Sequence, residues 1–143
     1  MNSIHLICLG VTNLDDSLEF YKNLGFQTKE KAGASIVFFN NCGTKLELYP
    51  IESLAKDINA KNPPVINQTY FSGITLACNM KSKTEVDELF AKVREIGRVI
   101  VKEPEPTDWG GYSGYFQDLD GYYWEVAYGD TWAFDENDML IIE

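Results

Sequence analysis

Hydrophobic and polar residues alternate with two different periods along this chain. Residues 4–11 form a short β-branched, apolar run that is typical of a strand. The next apolar residues recur at helical spacing, which predicts an amphipathic helix with one buried stripe. They are Leu14, Leu18, Tyr21 and Leu24. Three further strand-like segments follow this helix, at residues 26–31, 34–40 and 45–50.

Local signals mark both ends of this first helix. Thr12 and Asn13 supply side chains that can cap its N-terminus. Asp15 and Asp16 place negative charge in the first turn, where the helix dipole favours it. Gly25 ends the helix, as glycine does at a left-handed C-terminal position. The helix boundaries are therefore predicted independently of the apolar stripe.

The same order of elements returns in the second half of the chain. Residues 51–68 are mostly polar and contain Asn-Pro-Pro, which predicts a connector with one helical turn. Residues 73–80 predict a strand, and Ser82 or Thr84 can cap a helix that Gly97 ends. The apolar stripe of that helix is Val86, Leu89, Phe90, Val93 and Ile96. Further strands are predicted at residues 99–103, 114–118 and 122–128.

These two passes form an internal repeat. The helix that ends at Gly25 matches the helix that ends at Gly97 at a shift of 72 residues. At a shift of 78, residues 43–50 match residues 121–128, which aligns Glu47 with Glu125. Two short copies of one unit are expected to pack as a pair, because neither buries its apolar face alone. We therefore expect one domain over residues 1–143, with a first module at 1–50, a connector at 51–71, a second module at 72–128 and a C-terminal tail at 129–143.

Charge and cysteine usage exclude several classes of function. The chain has 12 basic and 22 acidic residues and a net charge of −10, so we expect no nucleic-acid partner. No run approaches the roughly 20 apolar residues of a membrane helix, and the N-terminus lacks the pattern of a signal peptide. Cys8, Cys42 and Cys78 are odd in number and widely spaced, which favours reduced thiols in a cytoplasmic protein.

Two phrases of the sequence carry a resemblance to a known superfamily. FYKNLGF, residues 20–26, closes the first helix, and YSGYFQDLDGYYWE, residues 112–125, contains a strand, an acidic turn and a Trp-Glu pair. Together with the repeated strand–helix–strands order, they resemble the vicinal-oxygen-chelate superfamily of glyoxalases, bleomycin-resistance proteins and extradiol dioxygenases. Leu119 stands where that family usually has proline. The likeness covers residues 1 to about 128.

The resemblance implies an α+β fold. Two βαβββ modules are expected to form a curved mixed sheet around a cup-shaped cavity that encloses a small-molecule ligand. It also implies a homodimer, with the modules paired either within one chain or between two chains.

A metal site is the chemical feature that the resemblance implies. In metal-dependent members, each module contributes one ligand from its first strand and one from its last. The first module matches these positions with His5 and Glu47. The second matches them with Ile74, or its neighbour Thr75, and Glu125. Because Ile74 cannot ligate, the implied cofactor is one divalent ion (Zn, Mn, Ni or Fe) on an incomplete set of three ligands, or no metal at all. Glu47 and Glu125 are also the candidate catalytic bases.

Each of these residues has a structural alternative. His5, the only histidine, can be a satisfied histidine at the core or the rim of the domain. Glu47 and Glu125 lie on predicted strands with apolar neighbours, and an uncompensated buried carboxylate is unfavourable. Either glutamate can therefore pair with Lys45 or another side chain, or face water.

Aromatic residues are the candidates for a ligand-binding wall. Flat apolar rings of Trp and Tyr offer surface to a flat ligand, and the glycines beside Trp109 permit an unusual loop. The candidate ligand-binding residues are Tyr49, Trp109, Tyr112, Tyr115 and Tyr123. Packing in the core is the competing explanation. The tail, with Trp132 and Phe134 among acidic residues, is expected to pack on the domain or on a partner.

Two functions remain open from the sequence. One is a metal-free binding or resistance protein that sequesters a flat or cationic molecule in an aromatic, acidic cup. The other is a metal-dependent lyase, isomerase or dioxygenase that uses His5, Glu47 and Glu125 on a divalent ion. A stress-related role in binding a partner is a third possibility.

Overall fold

The structure, a computed structural model, describes residues 3–67 and 69–142. They fall into two compact units, Met1–Phe71 and Ser72–Glu143. The first unit contains β1 (Leu6–Val11), α1 (Leu14–Leu24), β2 (Val37–Phe39), β3 (Lys45–Pro50) and α2 (Ile51–Ile58). The second contains β4 (Thr75–Met80), α3 (Lys83–Glu95), β5 (Ile100–Pro106), β6 (Tyr112–Gln117) and β7 (Tyr123–Tyr128). The predicted α+β class is confirmed.

The sheet of the first unit has the strand order β1–β3–β2. β1 and β3 are parallel, whereas β2 and β3 are antiparallel. α1 begins at Asn13, whose side chain accepts from the backbone N–H groups of Asp15 and Asp16, and ends at Gly25, where φ is 111°. The helix packs on one face of the sheet, where the rings of Tyr21 and Phe39 lie 5.7 Å apart.

The predicted strand at residues 26–31 is not a regular strand. The Thr28 hydroxyl donates to the Phe38 carbonyl at 2.7 Å, and the Asn40 N–H donates to the Gln27 carbonyl at 2.7 Å. Because a side-chain hydroxyl takes the β2 carbonyl in place of a backbone N–H, the segment follows β2 without a regular ladder. Within the described residues, the first unit therefore has one strand fewer than the βαβββ pattern predicts.

α2 replaces the single helical turn predicted for the connector. Its apolar residues recur at helical spacing, a signal that the polar surroundings of the segment obscured; they are Ile51, Leu54, Ala55 and Ile58. A Cβ atom added at Gly10 would lie 2.9 Å from Cγ1 of Ile51 and 3.2 Å from Cδ2 of Leu54. α2 therefore packs directly over the Gly10 end of β1.

The sheet of the second unit has the strand order β4–β7–β6–β5, with β4 and β7 parallel and the other pairs antiparallel. The Ser82 side chain caps α3 by accepting from the Glu85 N–H. α3 packs on one face of this sheet, where the rings of Phe90 and Phe116 lie 6.2 Å apart. The core of the unit consists of Val86, Phe90, Val93, Phe116, Trp124 and Val126. In the described part of the chain, no helix combines the length and apolar character needed to cross a bilayer.

Candidate functional site

Glu47 lies in the middle of β3 and has 8% of its surface exposed. Its paired residues are Cys8 on β1 and Phe38 on β2. Directly paired residues share one face of a sheet, so these three side chains form a row across the first sheet, on the side away from α1. We call this side the Glu47 face; it carries Leu6, Cys8, Gly10, Phe38, Lys45, Glu47 and Tyr49.

The Cys8 thiol donates a hydrogen bond to the Glu47 carboxylate. Burial raises the pKa of the Cys8 thiol to about 12, and both the charge of Glu47 and this hydrogen bond add to the increase. The thiol therefore stays protonated at neutral pH. It serves as a hydrogen-bond donor and is not an activated nucleophile.

Glu125 has the corresponding place on β7, and its side chain is partly buried. Its paired residues are Ala77 on β4 and Tyr115 on β6. The Tyr115 hydroxyl donates to the Glu125 carboxylate. Burial raises the pKa of Tyr115, and the hydrogen bond and charge of Glu125 add to the increase. This side of the second sheet, opposite α3, is the Glu125 face; it carries Thr75, Ala77, Lys102, Tyr115, Tyr123 and Glu125.

His5 lies just before β1 and is exposed. Its carbonyl accepts from the Lys45 N–H at 2.9 Å, so the β1–β3 ladder already begins at this residue. Because side chains alternate along a strand, His5 belongs with Ile7 on the α1 side of the sheet, and Leu6 occupies the Glu47 face. Leu6 has no atom that can ligate a metal.

Thr75, rather than Ile74, lies on the Glu125 face. Thr75 pairs with Tyr123 at the start of β4 and stands two residues before Ala77, the partner of Glu125. Ile74 precedes the strand and is 65% exposed. The hydroxyl of Thr75 is a weaker ligand than the imidazole or carboxylate that a four-ligand centre uses.

The side chains present do not fit the implied metal centre. Residues 3–67 and 69–142 contain no group of three or more His, Cys, Asp or Glu side chains arranged to hold a metal ion. Within the first unit, the predicted ligands His5 and Glu47 belong to opposite faces of the sheet. Each glutamate instead accepts a hydrogen bond from a protonated side chain of its own sheet.

The five candidate aromatic residues separate into two groups. Tyr49, Tyr115 and Tyr123 lie on the faces that carry the glutamates. Tyr112 belongs to the opposite side of its sheet, because its hydroxyl donates at 2.8 Å to a carboxylate oxygen of Asp87 on α3. Trp109 is 54% exposed, and its ring packs against the C-terminal tail.

The tail contributes Trp132 to that contact. The rings of Trp109 and Trp132 stack with centroids 5.4 Å apart and planes inclined by 16°. Lys81 forms an ion pair with Asp138 farther along the tail. The sequence predicted Cys8 only as a reduced thiol and did not pair Trp132 with Trp109. The place of Cys8 beside Glu47 follows from the register of β1 and β3, and nothing local to Trp132 predicts its partner.

Comparison with known proteins supports the fold and identifies the family. A glyoxalase-related enzyme from Fulvimarina pelagi superposes with a TM-score of 0.86 over 99% of both chains, at 24% identity. A lactoylglutathione lyase structure from Agrobacterium tumefaciens gives 0.68 at 22% identity, over 94% of this chain and 98% of that one. The metallothiol transferase FosB of Shouchella clausii is 28% identical over 130 residues, which are 90% of this chain and 82% of that protein. Residues 3–126 match the model of the Glyoxalase/Bleomycin resistance protein/Dioxygenase superfamily, and the chain therefore belongs to that superfamily.

Proposed function

We propose that this chain binds small molecules directly at the Glu47 face and at the Glu125 face, through the carboxylate of each, without a complete four-ligand metal centre. The hydrogen bonding of the two carboxylates is the observation that carries the proposal, since each accepts from a neutral donor of its own sheet. A neutral donor holds a carboxylate without cancelling its negative charge. That charge remains available to a ligand.

The absence of an ion pair at Glu47 and Glu125 among the described residues indicates the class of ligand. The ion pairs of the described residues are Glu19–Lys22, Lys81–Asp138, Arg94–Glu103 and Lys102–Glu105, and none of them involves Glu47 or Glu125. Lys45, the nearest candidate in sequence, donates instead to the Asn41 carbonyl. A buried or partly buried carboxylate that forms no ion pair favours a cationic partner that also carries N–H donors. Tyr49 and Tyr123 beside the glutamates favour a flat ring system.

Ethidium is a suitable probe, because it is flat, permanently cationic and carries two aromatic amines. Phenanthridine, the neutral parent ring, is the matched control for the charge. We expect saturable binding of ethidium in calorimetry, with much weaker binding of phenanthridine. Glu47→Gln and Glu125→Gln should each weaken ethidium binding by about tenfold or more, the equivalent of one charge-assisted contact. Glu19→Gln, on the exposed side of α1, should leave it unchanged.

Equal affinity for ethidium and phenanthridine, or no effect of either glutamate variant, would refute the proposal. The same chelator-treated protein should be titrated with Zn, Mn, Ni and Fe(II). Tight, stoichiometric binding of one of these ions by the wild-type chain would favour the second candidate function instead.

That second candidate is a metal-dependent transferase, lyase, isomerase or dioxygenase. The relative named metallothiol transferase and the structure named lactoylglutathione lyase support it. If a centre with His5 exists, His5→Ala should abolish metal binding. If the strand register determines which side chains can ligate a metal, His5→Ala should leave metal binding unchanged. Leu6→His combined with Thr75→His should then create metal binding. Ile74→His, on the other side of its strand, is the matched control.

We also propose that the chain forms a homodimer. The stretch of chain that follows α2 and precedes β4 in sequence exposes large apolar side chains: Val65, Ile66, Tyr70, Phe71 and Ile74. Such a concentration of exposed apolar surface is typical of an interface. Sedimentation equilibrium should give twice the chain mass of 16.2 kDa. A single species of 16.2 kDa, the mass of one chain, over micromolar concentrations would exclude the dimer.

A further inference from the structure

The two glutamate rows are built from the same positions of the repeat but not from the same residues. Each row has the glutamate in the middle, its parallel neighbour on one side and its antiparallel neighbour on the other. In the first unit, Cys8 on the parallel neighbour donates, and Phe38 on the antiparallel neighbour is apolar. The second unit reverses this arrangement, because Tyr115 donates from the antiparallel neighbour and the parallel neighbour is Ala77.

Both rows therefore supply one neutral donor to one carboxylate, from opposite sides. A glutamate side chain has three rotatable bonds, and neither Glu47 nor Glu125 has an ion-pair partner among the described residues. A single hydrogen bond from a neighbouring strand selects one orientation of the carboxylate. It also satisfies one of the acceptor sites that burial would otherwise leave without a partner.

We propose that Cys8 and Tyr115 are equivalent positioning residues, which fix Glu47 and Glu125 as acceptors on their sheet faces. The inference rests on the proposed function, since it concerns the same two carboxylates. It assigns the Cys8 thiol the role of a hydrogen-bond donor that takes no part in covalent chemistry. In each row, a donor on the other neighbouring strand should serve equally well.

The S–H stretching band in the infrared spectrum tests the first donor directly, without any ligand. Cys8→Ser identifies the Cys8 band by its loss, and Cys42→Ser does the same for an exposed thiol. We expect the Cys8 band at lower frequency than the Cys42 band, because donation to a carboxylate weakens the S–H bond. Glu47→Gln, which replaces the carboxylate with a weaker acceptor, should shift the Cys8 band upwards. A Cys8 band that does not respond to Glu47→Gln overturns the proposal.

Moving the donor tests the equivalence of the rows. Cys8→Ala should weaken ethidium binding by about tenfold, as expected for the loss of one hydrogen bond to a charged group. Adding Phe38→Tyr places a hydroxyl on the antiparallel neighbour, as in the second unit, and should restore most of the affinity; Cys8→Ser should retain it. The corresponding test in the second unit uses two variants. Tyr115→Phe should weaken ethidium binding, and Tyr115→Phe combined with Ala77→Cys should restore it.

These outcomes separate the positioning role from the binding function. Cys42→Ser should bind ethidium like the wild type, which controls for the loss of a thiol elsewhere. If Cys8→Ala loses affinity and Phe38→Tyr fails to restore it in a folded double variant, the equivalence of the rows is wrong. If the wild type does not bind ethidium at all, the proposed function fails, and the infrared result alone decides whether Cys8 positions Glu47.

Discussion

The contact between Gly10 and α2 gives a stability prediction with a defined magnitude. A methyl group at Gly10 would lie 2.9 Å from Cγ1 and 3.2 Å from Cβ of Ile51, and 3.2 Å from Cδ2 of Leu54. Ile51 cannot easily rotate away, because a β-branched side chain in a helix has one preferred χ1 rotamer. Gly10→Ala must therefore move α2 away from the sheet or distort β1.

Two opposing effects set the size of the change. Overpacking of this kind lowers the free energy of unfolding by about 1–3 kcal/mol. Replacing glycine by alanine restricts the unfolded chain and raises the free energy of unfolding by about 0.4–1 kcal/mol. We expect Gly10→Ala to lower the free energy of unfolding by about 1–2 kcal/mol. Urea denaturation followed by far-UV circular dichroism measures this as a lower midpoint with an unchanged slope.

Ile51→Ala provides the matched control for this prediction. Removing the Ile51 branch opens the space that the new methyl group needs, so the two changes should be coupled. Gly10→Ala should cost less in the Ile51→Ala background than in the wild type, by at least 0.5 kcal/mol, the lower limit for residues in contact. Gly10→Ala that is as stable as the wild type, or a cost that Ile51→Ala leaves unchanged, would refute the packing of α2 over Gly10.

Three further predictions concern the turn, the thiols and the tail. Asp118→Ala should destabilise the second unit by about 1–3 kcal/mol in urea denaturation, because the buried carboxylate accepts from two backbone N–H groups of its own turn. Folding raises the pKa of the Cys8 and Cys78 thiols from 9.0 to about 12 and about 11, so the free energy of unfolding should fall as the pH rises from 9 towards 12. That fall should be smaller in a variant with Cys8→Ser and Cys78→Ala, and an unchanged profile would contradict the raised pKa values. The stacked pair of Trp109 and Trp132 should give an exciton signal in circular dichroism that Trp132→Phe removes; a signal that persists would argue against the stack.

The sequence predicted most elements because their signals are local. The cap at Asn13, the left-handed Gly25 and the repeated apolar stripes each act within a few residues, and all agree with the structure. The segment at residues 26–31 was not predictable in this way. Whether it forms a strand depends on which group reaches the Phe38 carbonyl, and the Thr28 hydroxyl does so from ten residues away.

The sequence predicts the matching positions of the two glutamates but not the donors that pair with them. The shift of 78 residues aligns Glu47 with Glu125, and the structure gives both the same central position in their rows. The donors could not be predicted by the same alignment, because Cys8 and Tyr115 do not occupy matching positions of the repeat. Each donor is identified only once the pairing of neighbouring strands is known.

The register of β1 also explains why the single histidine is a misleading signal. A shift of one residue along a strand moves a side chain to the other face of the sheet. His5 lies an odd number of residues before Cys8, the partner of Glu47, so the imidazole and the carboxylate belong to opposite faces. On the Glu47 face, β1 places Leu6 where a histidine ligand would be needed, and the Leu6 side chain has no atom that can ligate a metal. The strand register therefore supports the proposal that Glu47 contacts a ligand directly.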